Sequence, residues 1–330
     1  MSRVTASFLA PMEARTADSL PEGDGWQFEP KCDGFRCIAI RTDGDVDLRA
    51  KSGKPLGRYF PEVIASIKTV KGGDFVIDGE LVVAVNGGLS FDALQMRLHP
   101  AASRIRKLSV ESPAKLILFD ILSQRQTSFV HLPLLERRAK LTRFMQTAAV
   151  TDALEMSPAT TDRARALRWL RSTETGSTDG VIAKRLDGLY QSGVRAMVKI
   201  KRLRTADCVV GGFRYESARK MVGSLLLGLY DDEKLLHHVG FTSAIAKEER
   251  AALTKKLEAL REAPGFTGDA PGGPSRWSNA RSAEWVPLKP ELVVEVRYDH
   301  VTNSRFRHGT KPVRWRPDKA PRQCTFEQIA

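Results

Sequence analysis

The strand-forming runs of this sequence change in character near residue 206, and that change limits the folds open to the chain. Before it, apolar runs that favour strands alternate with amphipathic stretches that favour helices. After it, short runs such as CVVGGF, SLLLGLY and LLHHVGF follow one another with turn residues between them, a pattern typical of a small barrel. A chain of 330 residues is long for one domain, so we predict two, divided between 203 and 204.

Hydrophobic periodicity places the individual elements. Strands are predicted at 35–40, 45–49, 74–85, 115–122, 180–184 and 196–201, and helices at 59–67, 90–97, 133–147 and 162–171. In the second region one helix is predicted near 246–261. Its leucines fall on one helical face: Leu253, Leu257 and Leu260. A loop rich in Gly and Pro at 264–274 then precedes a strand in ELVVEVRYDHV.

The balance of charge narrows the classes of partner. Fifty-two Lys and Arg against 39 Asp and Glu give a net charge of +13. A field of that sign attracts polyanions, and nucleic acid is the commonest of them. A membrane surface is the alternative, but no amphipathic helix rich in Lys and Arg dominates the sequence.

Two absences in the sequence bear on the compartment. The N-terminal residues lack the apolar run of a signal peptide, and no stretch approaches 18 apolar residues, so we expect a cytoplasmic protein without a membrane span. No two of the four cysteines have the CxxC spacing, so neither a disulfide framework nor a structural zinc site is indicated.

One lysine stands between a carboxylate and a glycine turn, just before a predicted strand. The segment is Glu29-Pro30-Lys31-Cys32-Asp33-Gly34-Phe35-Arg36. Taken alone, such a segment is more often a surface loop than a site. Other short segments of the chain, and their order, change that interpretation.

Taken together, these segments resemble the covalent nucleotidyltransferases, the superfamily of DNA ligases, RNA ligases and mRNA capping enzymes. The matching segments are Lys31-Cys32-Asp33-Gly34 with Arg36 (KxDG), Asp78-Gly79-Glu80, Phe119-Asp120, Asp179-Gly180-Val181-Ile182-Ala183-Lys184 (EGxVxK), Lys199-Ile200-Lys201 (KxK) and Arg316-Pro317-Asp318-Lys319 (RxDK). The resemblance covers nearly the whole chain, and so many segments in the right order are not expected by chance.

The resemblance implies both a fold and a reaction. The fold is α+β: a nucleotidyltransferase (adenylation) domain of antiparallel sheets and helices at 1–203, followed by an OB-fold β-barrel domain at 204–330. In the reaction, Lys31 attacks the α-phosphate of ATP, releases pyrophosphate and carries AMP. The AMP then passes to the 5′-phosphate of a DNA nick, and the 3′-hydroxyl displaces it to seal the strand.

The chemistry of an amine nucleophile gives the nearby cations a role. Lysine attacks only when it is unprotonated, and a free lysine has a pKa of about 10.4. Positive neighbours favour the neutral amine, so we predict that Arg36, Lys199 and Lys201 activate Lys31 and neutralise charge on the α-phosphate. Alternation along a strand puts Lys199 and Lys201 on one side, which a solvated strand face would also explain.

The other matched positions are interpreted as nucleotide and metal ligands. The resemblance implies a nucleotide-binding set of Glu29, Lys31, Arg36, Lys51, Glu80, Phe119, Lys184, Lys199, Lys201, Arg316 and Lys319. Glu80 and Asp179 are the predicted ligands of Mg²⁺ or Mn²⁺, because Mg²⁺ commonly takes one or two carboxylates with phosphate and water. Phe119 would stack on adenine, although its apolar neighbours allow it to be a core residue. Arg316 and Lys319 would close over the leaving pyrophosphate.

Two positions depart from the usual ligase pattern. Asp179 stands where Glu is usual, as it also does in capping enzymes, and its shorter side chain needs backbone placement or a water molecule to reach a metal. Lys51, in LRAKSGK, stands where ligases usually have Arg. It keeps the charge but loses the bidentate fork, so we interpret it as a contact to the nucleotide or the DNA backbone.

The resemblance is most specific to bacterial ATP-dependent ligases. About 30 residues precede Lys31, too few for the N-terminal domains of large eukaryotic or NAD-dependent ligases, so ATP is the expected donor. Segments such as YFPEV and GSLLLGLYDD are similar to the stand-alone actinobacterial ligase C and to the ligase domain of the end-joining ligase D. The kinship implies a monomer that seals nicked duplex DNA in repair, associated with the nucleoid, with a primase-like repair polymerase as partner. An RNA ligase or capping guanylyltransferase, and an inactive nucleic-acid-binding relative, are the alternatives.

Overall fold

In the computed structural model the chain divides after Arg202, into the units Met1–Arg202 and Leu203–Ala330. The structure describes residues 9–149, 151–171, 178–216, 219–272 and 284–329. None of the helices in these ranges is long and apolar enough to cross a membrane. The last two residues of the predicted loop at 264–274 fall outside the described residues.

The first unit alternates strands with helices along the chain. Its strands are β1 (Ala14–Thr16), β2 (Trp26–Pro30), β3 (Phe35–Thr42), β4 (Asp45–Ala50), β5 (Phe75–Val85), β6 (Gly88–Leu89), β7 (Ala114–Gln124), β8 (Thr127–Ser128), β9 (Leu154–Met156), β10 (Gly180–Arg185) and β11 (Met197–Lys201). Its α-helices are α1 (Pro61–Thr69), α2 (Phe91–Met96), α3 (Ala102–Glu111), α4 (Leu134–Thr147) and α5 (Arg163–Arg171), and a 3₁₀ turn covers Gly57–Tyr59.

These strands form two sheets. The smaller has the order β1-β11-β10-β2, and the larger has the order β4-β3-β5-β7-β8, with β6 beside β5 and β9 beside β7. Neighbouring strands are antiparallel as predicted, except that β1 runs parallel to β11 and β9 parallel to β7. Both parallel strands are short and reach their partner from a distant part of the chain, which a local pattern does not reveal.

Apolar side chains hold the layers together. Helix α1 packs against the larger sheet through Val63, Ile67 and the preceding residue Phe60, all of which are fully buried. Phe75 of β5 packs against Phe144 of α4, with their ring centroids 5.0 Å apart. Burying each such side chain stabilises the folded state by about 1.5–3 kcal/mol relative to leaving it exposed. Helix α5 covers the smaller sheet, and a separate apolar cluster joins the two sheets: Met12, Ile38, Leu122, Tyr190 and Met197.

Two glycines let the motif segments lie directly against neighbouring backbone. A Cβ on Gly34 would stand 2.2 Å from the carbonyl oxygen of Leu81. At Gly180, where φ is +150°, a Cβ would stand 2.1 Å from the carbonyl oxygen of Ile200. Any side chain would therefore push the neighbouring strand away. Space requires glycine at both positions, and at Gly180 the positive φ favours glycine as well.

The second unit is built almost entirely from strands. They are β12 (Arg204–Glu216), β13 (Arg219–Tyr230), β14 (Leu236–Thr242), β15 (Val286–Pro287), β16 (Val293–Tyr298), β17 (Val301–Thr302), β18 (Arg305–Phe306) and β19 (Lys311–Trp315), with one helix, α6 (Arg250–Glu258), and 3₁₀ turns at Pro321–Gln323 and Phe326–Ile329. The main sheet has the order β14-β13-β12-β16-β19, and β12 and β13 are bulged.

The sheet of the second unit curls until its two edges meet. Thr242, the last residue of β14, bridges Thr310, which immediately precedes β19. The Thr242 hydroxyl donates a hydrogen bond to the Thr310 carbonyl at 2.9 Å, and the Thr310 amide donates one to the Phe241 carbonyl at 3.0 Å. Closing the edges in this way removes exposed strand edges, as expected for a barrel.

Candidate active site

A cavity of about 500 Å³ lies between the two sheets of the first unit, within the size range of small-ligand sites. Its walls come from the smaller sheet and the segment before β1, from β3, β5 and β7 of the larger sheet, and from the turn after β4. The predicted site residues that line it are Glu29, Lys31, Arg36, Lys51, Glu80, Phe119, Lys184 and Lys199. Residues far apart in sequence therefore converge on one site large enough for a nucleotide.

Lys31 is held in the wall of this cavity by its own backbone. Its amide donates a hydrogen bond to the Gly180 carbonyl at 2.9 Å, and its carbonyl accepts one from the Asp179 amide at 2.8 Å. These two bonds tie the loop after β2 to the residues that begin β10. The side chains then meet, with Lys31 Nζ 2.6 Å from Asp179 Oδ2.

This ion pair gives Lys31 the opposite electrostatic environment to the predicted one. Burial disfavours the ammonium form, but the charge and hydrogen bond of Asp179 outweigh it, so the pKa of Lys31 is raised. The lowering expected from surrounding cations falls on Lys199 instead. There burial, followed by the charges of neighbours led by Lys201 and Lys31, lowers the pKa. The influence of Asp179 on Lys31 thus exceeds that of the surrounding cations, and the activation of Lys31 by Arg36, Lys199 and Lys201 stays a prediction.

A buried carboxylate lies at the inner end of the cavity. Glu29 on β2 is 2% exposed, and it accepts hydrogen bonds from Lys184 Nζ at 2.9 Å and from Gln27 Nε2 at 2.7 Å. Burial lowers the pKa of Lys184, which is itself 4% exposed. Separating this buried pair would leave two uncompensated charges away from water, so the two side chains stay together.

Phe119 lies on the cavity wall, whereas its neighbours Leu118 and Ile121 are buried in the core. The guanidinium carbon of Arg36 is 4.3 Å from the ring centroid, and Lys184 Nζ is 4.5 Å from it. Both distances are in the range of cation–π interaction. The two cations thus help to hold the Phe119 ring in place on the cavity wall.

Arg36 forms a second buried ion pair. Its Nε and Nη2 donate to the two oxygens of Asp78 at 2.6 and 2.7 Å, and the Tyr190 hydroxyl donates to Asp78 at 2.6 Å. The same hydroxyl accepts a hydrogen bond from the Met12 amide at 3.0 Å. This network links the start of β3 to β5 and to the segment before β1, so Arg36 is held rigidly on the cavity wall.

Glu80 lines the cavity two residues beyond Asp78. Burial raises its pKa to about 7, although the positive charges of Arg36 and Lys31 act in the other direction. At neutral pH this carboxyl therefore populates both its protonated and its ionised form. A cation arriving at the site would favour the ionised form.

Lys51 lies on the rim, where its Nζ is 2.9 Å from Glu13 Oε1. Lys199 lines the cavity opposite Ile182 in the sheet. Lys201, two residues further along β11, pairs with Gly180 and is not among the residues that line the cavity. Of the two lysines in the KxK segment, Lys199 is the one that faces the cavity.

Arg316 and Lys319 belong to the second unit, where both are engaged by one carboxylate. Asp207 accepts from Arg316 Nη1 at 2.9 Å and from Lys319 Nζ at 2.7 Å. Arg316 also donates to Asp318 at 2.8 Å. The cations of the RxDK segment are therefore neutralised within their own unit in this structure.

Comparison with known proteins decides the family. A model of the ATP-dependent DNA ligase domain matches residues 9–201, and a model of the ATP-dependent DNA ligase C-terminal region matches residues 218–319. The chain belongs to the ATP-dependent DNA ligase family.

Individual relatives agree with that assignment. DNA ligase C2 of Mycolicibacterium smegmatis is 43% identical to this ligase over 336 residues, which cover 97% of this chain and 94% of that protein. The multifunctional non-homologous end joining protein LigD of Mycobacterium bovis is 31% identical over 330 residues, 97% of this chain and 40% of LigD. A solved structure of a Lig E DNA ligase shares the fold, with a TM-score of 0.59 and 14% identity over 92% of this chain and 99% of that one.

Several predictions from the sequence are thereby confirmed. The ligase has a nucleotidyltransferase domain followed by an OB-fold domain, is an ATP-dependent DNA ligase similar to bacterial ligase C, and uses ATP and a divalent metal ion. Its substrate is accordingly nicked DNA. The alternatives of an RNA ligase, a capping enzyme or an inactive relative are not favoured.

The carboxylates beside Lys31 suit a hard divalent cation. Asp179 contacts Lys31 directly, and Glu80 lines the same cavity and acts electrostatically on the same amine. No group of three or more His, Cys, Asp or Glu side chains in the described ranges could hold an ion alone. Two carboxylates are the donor set expected for an ion that completes its coordination with nucleotide phosphates and water.

Some residues that shape the site escaped the sequence analysis. Asp78 was noted as part of a motif without a role, and Tyr190, Asp207, Glu13 and Arg195 were not singled out. Asp78 carried a signal, since a carboxylate within the apolar run FVIDGELV must find a partner when buried. The others depend on long-range pairing, for which a single sequence gives no signal.

Proposed function

We propose that Lys31 is the nucleophile of this ligase and that the cavity around it binds ATP. The observation that carries the proposal is the position of Lys31 Nζ in the cavity wall, 2.6 Å from Asp179 and in the electrostatic field of Glu80. Lys31 forms a phosphoramidate with the α-phosphate while pyrophosphate leaves. The AMP then passes to the 5′-phosphate of the nick, and attack by the 3′-hydroxyl restores the phosphodiester and releases AMP.

The inner end of the cavity suits the nucleoside. Phe119 offers an aromatic face to adenine, and the buried pair of Glu29 and Lys184 supplies fixed polar groups beside it. Arg36 and Lys199 supply positive charge for the phosphates, and Lys201, next along β11, adds to that field. Glu80 reaches the ribose or the metal side of the nucleotide.

Glu80 and Asp179 would hold Mg²⁺ or Mn²⁺ together with the phosphates. Such an ion, when bound, supplies Lewis-acid stabilisation of charge on the phosphate oxygens. Asp179 has a further part to play through Lys31. Because burial alone lowers the pKa of Lys31, loosening the Asp179 hydrogen bond moves this amine toward its neutral, reactive form.

We assign residues 1–203 to the adenylation domain and 204–330 to the OB-fold domain. The RxDK segment of the latter, with Arg316 and Lys319, serves the leaving pyrophosphate during the first step. The ligase then clasps nicked duplex DNA through phosphate contacts, with little preference for sequence.

The cellular setting follows from kinship. One relative of this chain is named the multifunctional non-homologous end joining protein LigD, and that name supports the inference. We infer a repair role at the bacterial nucleoid, a monomeric enzyme, and a primase-like repair polymerase as partner.

The test is the chemistry of Lys31. After incubation with labelled ATP, the wild-type protein should gain the mass of AMP and lose it again when pyrophosphate is added. Lys31→Ala should take up no label and seal no nick, yet bind nicked DNA with an affinity close to that of the wild type. The exposed Lys68→Ala on α1 is the matched control and should behave as wild type. Adenylation that persists in Lys31→Ala would sink the proposal.

A further inference from the structure

A buried histidine of the second unit receives a hydrogen bond from a surface arginine. Arg305 Nη2 on β18 lies 2.7 Å from His238 Nδ1 on β14. His238 is only 6% exposed, whereas Arg305 is exposed. The pair therefore ties a cation at the surface of the unit to a fixed group beneath it.

The contact with Arg305 sets the protonation state of this histidine. A guanidinium can only donate, so His238 Nδ1 must accept, and the ring must be neutral with its proton on Nε2. The surroundings favour the same state, because burial, followed by the charges of Arg305 and Arg214, lowers the pKa of His238 to about 3. At neutral pH the histidine therefore carries no charge, and the guanidinium that it holds keeps its full positive charge.

Other arginines of the second unit are held in a different way. Arg250 pairs with Glu216 at 2.9 Å, and Arg314 pairs with Glu295 at 2.7 Å. Within the described part of the chain, Arg305 has no carboxylate at ion-pair distance. Its charge is therefore available to a ligand, whereas the charges of the other two are already balanced.

Stability does not account for a histidine at position 238. Its Nε2 is buried and has no hydrogen-bond partner among the described residues. A buried N–H without a partner destabilises a folded protein. An apolar side chain could pack equally well against Phe266, whose ring centroid is 5.4 Å from that of His238. The nitrogen that does have a partner, Nδ1, gives the histidine its role, and that role concerns Arg305.

The backbone of Arg305 is also fixed. Strands β17 and β18 form a hairpin whose two turn residues, Asn303 and Ser304, have φ of +48° and +59°. Phe306, the next residue, is buried and packs on Tyr298, with ring centroids 4.8 Å apart. Because both ends of Arg305 are held, little side-chain freedom remains to be lost when the guanidinium binds a ligand.

We propose that Arg305 binds a backbone phosphate of the DNA duplex, and that His238 is the positioning residue that holds Arg305 without neutralising it. This assignment rests on the proposed function, in which the ligase holds duplex DNA by its phosphates. A guanidinium has five N–H donors, so several remain for phosphate oxygens beside the one that contacts His238. A carboxylate at position 238 would hold the arginine equally well, but it would cancel the charge that attracts the phosphate.

The salt dependence of DNA binding tests the role of Arg305, because each phosphate contact adds about one to the slope of log affinity against log salt. Fluorescence anisotropy with a labelled nicked duplex gives this slope between about 50 and 200 mM salt. Arg305→Ala should weaken binding about fivefold at the low end of this range and make the slope shallower by about one. Arg305→Lys keeps the charge and should keep the slope.

The charge at position 238 is tested by two further variants. His238→Asp places a carboxylate beside Arg305 and should make the slope shallower, as Arg305→Ala does. His238→Gln keeps a neutral acceptor and should retain the slope of the wild type. Thermal unfolding shows whether each variant is folded, and the comparison of Arg305→Ala with Arg305→Lys decides the role of Arg305 even if a variant at position 238 is not.

The matched control is Arg261→Ala, which removes an exposed arginine of the same unit that is paired with Glu258 at 3.3 Å. Self-adenylation by ATP should stay within about twofold of the wild type in every variant, because the phosphate belongs to DNA. The proposal is overturned if Arg305→Ala changes the slope no more than the control does, or if it slows self-adenylation and leaves DNA binding unchanged. Equal slopes for His238→Asp and His238→Gln would overturn the role of His238. Wild-type protein that binds nicked duplex without salt dependence would instead refute the proposed hold on DNA phosphates, and this assignment with it.

Discussion

At the scale of single residues, the chemistry of Lys31 depends on one neighbour above all. Burial by itself lowers the pKa of this lysine, and the hydrogen bond and charge of Asp179 raise it. An amine must be neutral to attack phosphorus, so the pair has to loosen before the reaction can begin. Asp179, one methylene shorter than the usual Glu, thus holds the proposed nucleophile in its unreactive form, in addition to its proposed role as a metal ligand.

This arrangement makes a prediction about pH. Asp179→Asn removes the charge that raises the pKa of Lys31, so the rising limb of the pH profile of self-adenylation should move to lower pH. The plateau should fall, because a proposed metal ligand is lost. Single-turnover labelling between about pH 6 and 10 measures both quantities. Asp187→Asn, at an exposed pair with Arg185, is the control; a limb that stays fixed or moves to higher pH would contradict the proposed role.

Glu80 makes a second residue-scale prediction, about stability. Its pKa is 4.5 in the reference state and about 7 in the folded protein. Between these values the folded state binds more protons than the unfolded state, so stability falls as pH rises through this window and stays low above it. Glu80→Gln removes that loss, which amounts to up to about 3 kcal/mol.

Thermal unfolding at two pH values checks this. Glu80→Gln should melt above the wild type at pH 8, and the difference should shrink toward pH 5, while activity is lost. Glu111→Gln, an exposed carboxylate on α3, should show no such dependence. Equal shifts at both pH values would mean that packing rather than ionisation is responsible.

The sequence was informative about residues whose types are demanded by chemistry. Lys31, Glu29, Phe119 and Lys184 converge on one cavity, as their motifs predicted. It was uninformative about charge state, because the pKa of Lys31 depends on a 2.6 Å contact to a residue 148 positions away. Such distances are set by tertiary packing, and no local pattern encodes them.

At the scale of elements, strong periodicity predicted position well and weak periodicity did not. The strand predicted at 74–85 is Phe75–Val85, and the helix predicted at 133–147 is Leu134–Thr147. By contrast, Trp26–Pro30 was missed because its buried side chains include Gln27 and Glu29. Helix Ala102–Glu111 was missed because it buries a single apolar residue, Ile105, and so shows no apolar stripe.

Strand β12 carries Asp207, the carboxylate that binds Arg316 and Lys319. This carboxylate is 8% exposed, and its backbone is bonded on both sides by the Gln328 side chain, so it offers a fixed anchor for Arg316 and Lys319. Asp207→Asn should leave the RxDK cations without that anchor. Self-adenylation should then slow by about tenfold or more, the usual scale for displaced electrostatic contacts.

The same variant should seal a nick that already carries AMP at the wild-type rate, since no pyrophosphate leaves in that step. Quenched-flow measurement of the two steps separates them. Asp232→Asn, exposed in the same unit, is the matched control. Equal slowing of both steps would show that Asp207 supports the unit as a whole rather than the first step.

At the scale of the whole molecule, the net charge of +13 bears on how DNA is held. A duplex is bound mainly through its phosphates, and each neutralised phosphate releases counterions. We therefore expect the logarithm of the association constant for nicked duplex to fall linearly with the logarithm of salt concentration, with a slope of about −4 or steeper. Between about 50 and 200 mM salt the affinity should drop at least about a hundredfold.

Changing the base sequence around the nick should alter the affinity little, because phosphate contacts carry no base information. Fluorescence anisotropy with a labelled nicked duplex measures the slope. Lys31→Ala should retain it, since Lys31 is only 20% exposed and lies in the cavity wall. A slope near zero would mean that the excess of positive charge serves some purpose other than binding DNA.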